Sequence, residues 1–338
     1  MTKIAVVILN FNGREMLKQF LPSVLQYSTP HEVIVADNGS TDDSVLFLSN
    51  NFPTVKVLAS PLNEGFSKGY NTALAQIEAD YYVLLNSDVE VTPNWIEPII
   101  SLMNSDPLVA ACQPKIRAYL DKKSFEYAGA AGGFIDQYGY PFCRGRIFDT
   151  LEEDFGQYDD TKEIFWATGA CMFVRAKVYQ QLGGLDDDFF AHMEEIDLCW
   201  RIKNAGHKVY YCPESTVFHL GGGTLHKSNP RKTFLNYRNG LVLLYKNLPQ
   251  ANVYATLFIR MVLDGISALK LLSAGNHKDF WAIARAHINF YQNLGLWHQK
   301  RTQCVQLKIA STSKEILHKS IVWQYFIKKN KKYTEIEF

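Results

Sequence analysis

The stretch Tyr81–Val91, YYVLLNSDVEV, runs five apolar residues into Asn86, Ser87 and Asp88. A carboxylate at the end of a buried strand is costly unless a surface turn, a basic partner or a metal ion stabilises it. Three other apolar runs end in similar chemistry. Ile4–Leu9 leads into Asn10-Phe11-Asn12-Gly13, and Val33–Ala36 leads into Asp37-Asn38-Gly39-Ser40-Thr41-Asp42. Val55–Leu58 leads to Asn63-Glu64-Gly65. Each alone is an ordinary turn, because Asn, Asp and Gly favour turns. A further acidic run, Met193-Glu194-Glu195-Ile196-Asp197, opens a helical pattern. Carboxylates gather at helix N-termini, where the macrodipole stabilises them.

The intervening elements must bring these residues together. Strand signals at Ile4–Leu9, Val33–Ala36, Val55–Leu58 and Tyr81–Leu85 alternate with helical spacing over Gly13–Gln26 and Gly65–Ile77. This βαβα order predicts an α/β fold with a mainly parallel sheet flanked by helices. Ligands bind such sheets outside the carboxyl ends of the strands. All four polar strand ends then converge on one edge. From Pro107 to Phe165 the pattern predicts loops and short strands. Ala170–Val174, His207–Tyr211 and Ser215–His219 read as strands, and Met193–Ala205 reads as a helix.

After about Gly223 the chain turns helical, which divides it into 1–222 and 223–338. Thr256, Arg260, Asp264, Ser267 and Lys270 fall on one narrow helical stripe. Leu257, Phe258, Met261, Val262, Ile266 and Leu269 surround it. So wide an apolar arc is either covered by neighbours or lies in a membrane interface. Phe280–Leu294 and Ile316–Lys328 read as further helices. Lysines near the C-terminus suit an anionic membrane surface, or a solvated tail.

The chain has 338 residues, 47% hydrophobic and 20% charged, with a formal net charge of +1. That balance gives no general affinity for nucleic acid. Six cysteines stand singly with no CxxC, which argues against a zinc knuckle and for reduced thiols in a cytosolic protein. The N-terminal apolar run is too short for a signal peptide and reads as a first strand. No window has the ~20 apolar residues that a membrane span needs.

The runs VVILNFNGREMLKQFLPSVL, EVIVADNGSTDDS, NEGFSKGYNTAL and YYVLLNSDVEV resemble the inverting family 2 glycosyltransferases of the GT-A (Rossmann-like) fold. ATGACMFVRAKVYQQLGGLDDDFFAHMEEIDLCWRIKNAGHKVYY and STVFHLGGGT continue the likeness, from about Lys3 to Asn239, and the rhamnosyltransferase-type enzymes of surface-polysaccharide assembly are the most similar members. The resemblance implies a nucleotide-sugar donor and a divalent cation, Mg²⁺ or Mn²⁺, that offsets the charge growing on the diphosphate. It places Asp88 at the metal. The family motif is often Asp-x-Asp, and here Asn86 replaces the first carboxylate and would orient the ribose or Asp88. His219 matches a position that can give the metal a nitrogen. Asp37 matches the residue that accepts from the pyrimidine base. Asn10, Asn12, Asn63, Gly65, Asn71 and Ser87 complete the donor side. Lys68 is either a phosphate contact or an exposed helical lysine.

On the acceptor side the family usually has Glu-Asp, with the Asp as base. Glu195 stands at that position, with Glu194 as the alternative. Asp197 and Arg201, four apart on the helix, read as a supporting pair. Trp166, Gly169 and Asp186 would shape the sugar pocket. Arg231, Tyr237 and Arg238 resemble basic and aromatic positions near the diphosphate and sugar. The implied activity is transfer of a sugar from a UDP- or dTDP-sugar, dTDP-rhamnose among them, to a hydroxyl of a glycan or lipid-linked acceptor. The implied location is cytoplasmic or peripheral on the cytoplasmic membrane face, with the C-terminal helices as a membrane contact. Two rival readings are a catalytically silent nucleotide-sugar-binding scaffold and a sugar-1-phosphate nucleotidyltransferase.

Overall fold

The computed structural model describes residues 2–221, 229–306 and 313–338. The expected boundary between 222 and 223 lies outside the described residues. Strand Ile4–Asn10 lies between Glu32–Asp37 and Tyr81–Asn86, parallel to both, and Lys56–Ala59 extends the sheet beyond Glu32–Asp37. Alternation along these strands feeds two cores. Ala5, Val7, Tyr82 and Leu84 enter one, while Ile4, Val6, Ile8, Val83 and Leu85 enter the other. Successive strand side chains point to opposite faces, so a strand covered on both must be apolar throughout. Helix Arg14–Tyr27 covers one face with Leu17, Phe20, Leu21 and Val24, at i, i+3, i+4 and i+7 spacing. Helix Gly65–Leu74 covers the other through Tyr70, Ala73 and Leu74.

Beyond residue 86 the sheet is mixed rather than parallel. Cys171–Arg175 runs antiparallel to both Tyr81–Asn86 and Val109–Ala118. Val109–Ala118 pairs in parallel with Lys208–His219, which also takes Lys162–Ile164 and Val89–Val91 as antiparallel partners. The strands expected at His207–Tyr211 and Ser215–His219 form one twelve-residue strand with an irregularity between Cys212 and Thr216.

The region 107–165 is more regular than its sequence suggests. Its ten-residue strand Val109–Ala118 is hidden by Gln113, Pro114 and Lys115. Lys115 is buried by pairing with Asp154 at 3.0 Å. A second, smaller sheet runs through Thr150–Leu151, Arg146–Ile147, Pro141–Cys143, Gly133–Asp136 and Ile316–Leu317. The helix expected over Ile316–Lys328 is therefore cut short. Ile316–Leu317 joins this sheet, and only Ile321–Phe326 is helical, capped by Ser320.

Four helices, Pro230–Asn247, Val253–Ser273, His277–Gln292 and Leu294–Gln306, follow the main sheet. Helix Val253–Ser273 is inverted relative to a usual surface helix. Its polar stripe is inside: Arg260 pairs with Asp264 at 2.8 Å and donates to the Tyr138 carbonyl at 3.0 Å. Tyr140 donates its hydroxyl to Asp264 at 2.9 Å. Much of its apolar arc faces outward. Among the described residues, no helix is long and apolar enough to cross a membrane.

A buried charge network joins the helices to the sheet. Asp197, fully buried on helix Glu194–Asn204, pairs with Arg201 at 2.8 Å and Lys246 at 3.0 Å, and accepts from the Asn247 amide at 2.9 Å. Lys246 also pairs with Asp186. Removing one member of such a network leaves the others charged and unpaired in low dielectric. Asp197→Ala is therefore expected to lower stability by about 3–5 kcal/mol in urea unfolding; a change within ~0.5 kcal/mol, typical of an ordinary surface site, would show that the network carries no such weight.

Candidate active site

The first two polar loops lock to each other at the carboxyl edge of the sheet. The buried Asn10 amide donates to Asp37 at 2.9 Å and to the Ser40 hydroxyl at 3.2 Å. Asp37 also accepts from the Ser40 N–H at 3.0 Å and the Ser40 hydroxyl at 2.6 Å. Asn12, in the left-handed region at φ 51°, accepts from the N–H groups of Thr41 and Asp42 at 2.7 and 3.2 Å. These bonds fix Asp37 without covering every lone pair of its carboxylate. The third loop closes through Asn63, whose oxygen accepts from the Asn38 amide at 3.1 Å and the Gly65 N–H at 2.9 Å.

Gly65 has φ +84°, and a Cβ there would lie 2.6 Å from the Phe190 ring. The Phe66 N–H then donates to the Phe190 carbonyl at 2.7 Å. This contact joins the donor-side loops to the segment that precedes Glu194 and Glu195. Lys68 takes the second of its two readings: it is an exposed helical lysine, paired with Glu64 at 2.7 Å.

Asp88 lies buried at the end of the fourth strand, its Oδ1 3.1 Å from His219 Nε2. The Asn86 amide is 3.4 Å from the same nitrogen, and Ser87 is half-buried between them in sequence. Pairing of Val89–Val91 with the end of Lys208–His219 brings these groups together across 131 residues. On the far side of the ring, His219 Nδ1 lies 3.2 Å from Glu126 Oε2. Burial disfavours the imidazolium, but the hydrogen bonds and charges of Asp88 and Glu126 outweigh it and push the His219 pKa up to about 10. Burial likewise disfavours the Asp88 carboxylate, yet the His219 hydrogen bond and charge hold its pKa below the usual value.

The three side chains thus form a carboxylate–histidine–carboxylate row. Among the described residues no group of three or more His, Cys, Asp or Glu is arranged to hold a metal ion by itself. Once Nε2 gives up the proton it shares with Asp88, His219 could join Asp88 in holding a divalent cation that draws its remaining ligands from a diphosphate, with Glu126 orienting the ring from Nδ1 as carboxylates do for metal-bound histidines; the cation must displace that proton. Nothing in the sequence marks Glu126, which stands between Phe125 and Tyr127 in the segment read as loops and short strands.

The acid-bearing helix begins in a strained turn. Phe190, His192 and Met193 have φ of 63°, 69° and 72°. Such non-glycine conformations cost about 1–3 kcal/mol each and persist only where surroundings enforce them. Asn239, fully buried on helix Pro230–Asn247, does so with one amide. It donates to the carbonyls of Phe189, Ala191 and His192 at 3.1, 3.0 and 2.7 Å. Arg238 adds bonds to the Asp188 and Phe189 carbonyls, and the Arg231 guanidinium sits 4.5 Å from the Phe190 ring centroid.

Glu194 and Glu195 follow. Each has a buried Oε2 with no hydrogen-bond partner among the described residues. Burial pushes the Glu195 pKa up to about 7. Burial, then the neighbouring Glu195 charge, raises Glu194 well above the ordinary value. Glu194 is 4% exposed and Glu195 is half-buried, so Glu195 is the less enclosed of the two.

Asn71, Trp166, Asp186, Tyr237 and Arg238, expected near the donor or sugar, have partners within the fold. Asn71 uses its whole amide in the fold, donating to the Leu185 carbonyl and Asp187 and accepting from the Tyr179 hydroxyl and the Leu185 N–H. It ties helix Gly65–Leu74 to the turn before the strained loop. Trp166 is a core residue: its indole packs on Gly133, and its N–H donates to the Phe134 carbonyl at 2.9 Å. Both Asp186 oxygens pair with lysines of the helical region, Lys246 and Lys300, which fastens that region to the domain. Arg238 grips the strained loop, as above, and Tyr237 bonds the Ser267 hydroxyl at 2.5 Å. Gly169 is buried, and a Cβ there would meet the Phe66 ring at 3.2 Å, so it lets the Phe66 loop approach. In each case the residue type fits the family pattern while the side chain positions the site from behind.

The Glu126 contact is testable in its own right. Glu126→Gln is expected to weaken Mn²⁺ binding about 10–100-fold, as loss of an outer-sphere carboxylate does, when followed by electron paramagnetic resonance with a nucleoside diphosphate present. Unchanged affinity would show that Glu126 does not orient His219.

Comparison with known proteins gives the family and the fold. The N-acetylglucosaminyl-diphospho-decaprenol L-rhamnosyltransferase of Mycobacterium tuberculosis is 28% identical over 233 residues, covering 63% of this chain and 75% of that protein. The O-antigen biosynthesis protein RfbC of Myxococcus xanthus is 24% identical over 64% of this chain, which corresponds to 17% of RfbC. Two solved structures share the fold. GalNAc-T7 with UDP, GalNAc and Mn²⁺ superposes with a TM-score of 0.57 at 16% identity, covering 73% of this chain and 48% of that one. The mannosyltransferase PcManGT from Pyrobaculum calidifontis, in complex with GDP-Man and Mn²⁺, gives 0.54 at 13% identity, covering 91% and 86%. These are GT-A glycosyltransferases. The family model "Glycosyl transferase family 2" matches residues 5–183. The chain belongs to glycosyl transferase family 2.

Proposed function

We propose that the chain is an inverting, metal-dependent glycosyltransferase that moves a sugar from a UDP- or dTDP-sugar to a hydroxyl of a lipid-linked glycan in cell-surface polysaccharide synthesis. The M. tuberculosis relative is a rhamnosyltransferase whose name gives it a polyprenyl-diphosphate-linked acceptor, which favours dTDP-rhamnose as donor and a membrane-borne acceptor here. Structural neighbours crystallised with Mn²⁺ support a divalent cation, Mn²⁺ or Mg²⁺.

One observation carries the mechanism: Glu195, half-buried, has a buried oxygen with no partner and a pKa pushed by burial to about 7, and it stands just after a strained turn. An efficient general base has a pKa close to the working pH. Glu195 takes the proton of the acceptor hydroxyl as its oxygen attacks the anomeric carbon. The bond from that carbon to the diphosphate oxygen breaks on the opposite face, and the electron pair leaves with the diphosphate. Asp88 and His219 would hold the cation, which offsets the charge on the leaving group. Asp37, Asn10 and Asn12 form the preorganised wall against which the nucleoside packs.

Glu195→Gln is expected to lower transfer about 10²–10⁴-fold while leaving nucleotide binding intact. Asp88→Ala is expected to lose metal-dependent nucleotide binding as well. Both are read by release of UDP or dTDP across a panel of nucleotide sugars. Undiminished turnover in either variant would refute the role given to it, and absence of turnover by the unaltered protein with every donor would favour a silent binding protein.

The raised Glu195 pKa also sets a pH dependence. The base works only when deprotonated, so kcat/KM is expected to fall tenfold per pH unit below about 7. A profile flat down to pH 5 would contradict a base with that pKa.

A further inference from the structure

We propose that the outward face of helices Val253–Ser273 and His277–Gln292 docks on an anionic lipid bilayer; this deepens the lipid-linked-acceptor reading and rests on it for its purpose. On the first helix Tyr254, Phe258, Val262, Ile266 and Leu269 are spaced by four, four, four and three, so they share one stripe, and all five are exposed. Phe258 is 70% exposed. The opposite stripe, which includes Arg260 and Asp264, is the one packed against the protein. A helix normally turns its charged pair to water and its large apolar residues inward. This helix does the reverse, and the burial of its ion pair fixes the orientation.

The second helix extends the surface with Trp281, 61% exposed, and with Ile288 and Tyr291. An apolar groove of about 450 Å³ runs between the two helices, lined by Met261, Val262, Ile266, Phe280, Ile283 and Ala284. Contiguous apolar surface of this kind marks an interaction site.

Charge selects the occupant. From Val253 to Gln306 the only carboxylates are Asp264 and Asp279, and both are buried. Lys270, Lys278 and Arg285 are exposed on the same two helices. Arg285 lies four residues after Trp281 and three before Ile288, within the apolar stripe. Apolar and aromatic residues interleaved with cations, without exposed acids, match the interface of a bilayer that carries anionic headgroups. A two-fold contact with a second copy would instead bury these cations against a matching face that offers no exposed carboxylate to pair them.

The test is co-sedimentation of the full chain with phosphatidylcholine vesicles, with and without phosphatidylglycerol. It is run alongside Phe258→Ser/Trp281→Ser and Lys278→Glu/Arg285→Glu. All four positions are exposed, and thermal melts check that the variants fold. The expected result is sedimentation with the phosphatidylglycerol vesicles, weakened about tenfold or more by either double substitution. Transfer to a water-soluble acceptor is expected to stay unchanged in both variants. Failure of the unaltered chain to bind those vesicles, or equal binding by the variants, overturns the proposal and leaves the transferase reading standing. A dimer in analytical ultracentrifugation that Phe258→Ser/Trp281→Ser dissociates also overturns it, because the face is then covered by a second copy. Loss of transfer to every acceptor by the unaltered chain would instead sink the transferase reading, whatever the vesicles show.

Discussion

The site depends on one buried amide. Asn239 bonds the carbonyls of Phe189, Ala191 and His192, and those bonds hold Phe190, His192 and Met193 in conformations that cost about 1–3 kcal/mol apiece. The loop so fixed touches the donor side at the Phe190 carbonyl and begins the helix that carries Glu195. An active site needs its base placed to within a fraction of an ångström of the reacting proton. Here that placement comes from a helix outside the part of the chain matched by the family model, which ends at residue 183. The helical region is thus tied into the chemistry of the family domain, and the Asp186–Lys246–Asp197 network keeps it in place.

The opposite wall is rigid for a different reason. Asn10, Asn12, Asp37 and Ser40 hydrogen-bond one another, so the loops after the first two strands are set before any nucleotide arrives. His219 is pinned between Asp88 and Glu126 in the same way. Preorganisation of this kind lets a cation and a diphosphate bind without ordering the protein first. Asn86 in place of a carboxylate leaves a single acid beside His219 on that side. Glu126 supplies the second negative charge from behind the ring.

The sequence made the parallel half of the sheet readable because both faces of its strands are covered, and continuous apolar runs ending in Asn and Asp are hard to mistake. Asp88, His219 and Glu195 were singled out because their neighbours follow a family order. Glu126 and Asn239 were not. Each acts across the fold, on His219 and on the Phe189–His192 carbonyls, and no local pattern marks such a contact. Val109–Ala118 was obscured by a lysine that only a distant aspartate makes tolerable in a strand. Asn71, Trp166, Asp186 and Arg238 carried the right residue types, yet their atoms are spent on positioning. The Val253–Ser273 stripe illustrates the limit of periodicity: it gives two faces and does not say which one faces the protein.

The most direct test of this account is the transfer kinetics of Asn239→Ala, read beside its affinity for nucleoside diphosphate with Mn²⁺. Misplacing a catalytic group by about 1 Å costs roughly 100-fold in rate, so kcat is predicted to fall by about that factor while nucleotide affinity stays within about twofold. A folded Asn239→Ala variant with unchanged kcat would contradict the claim that the helical region positions the base.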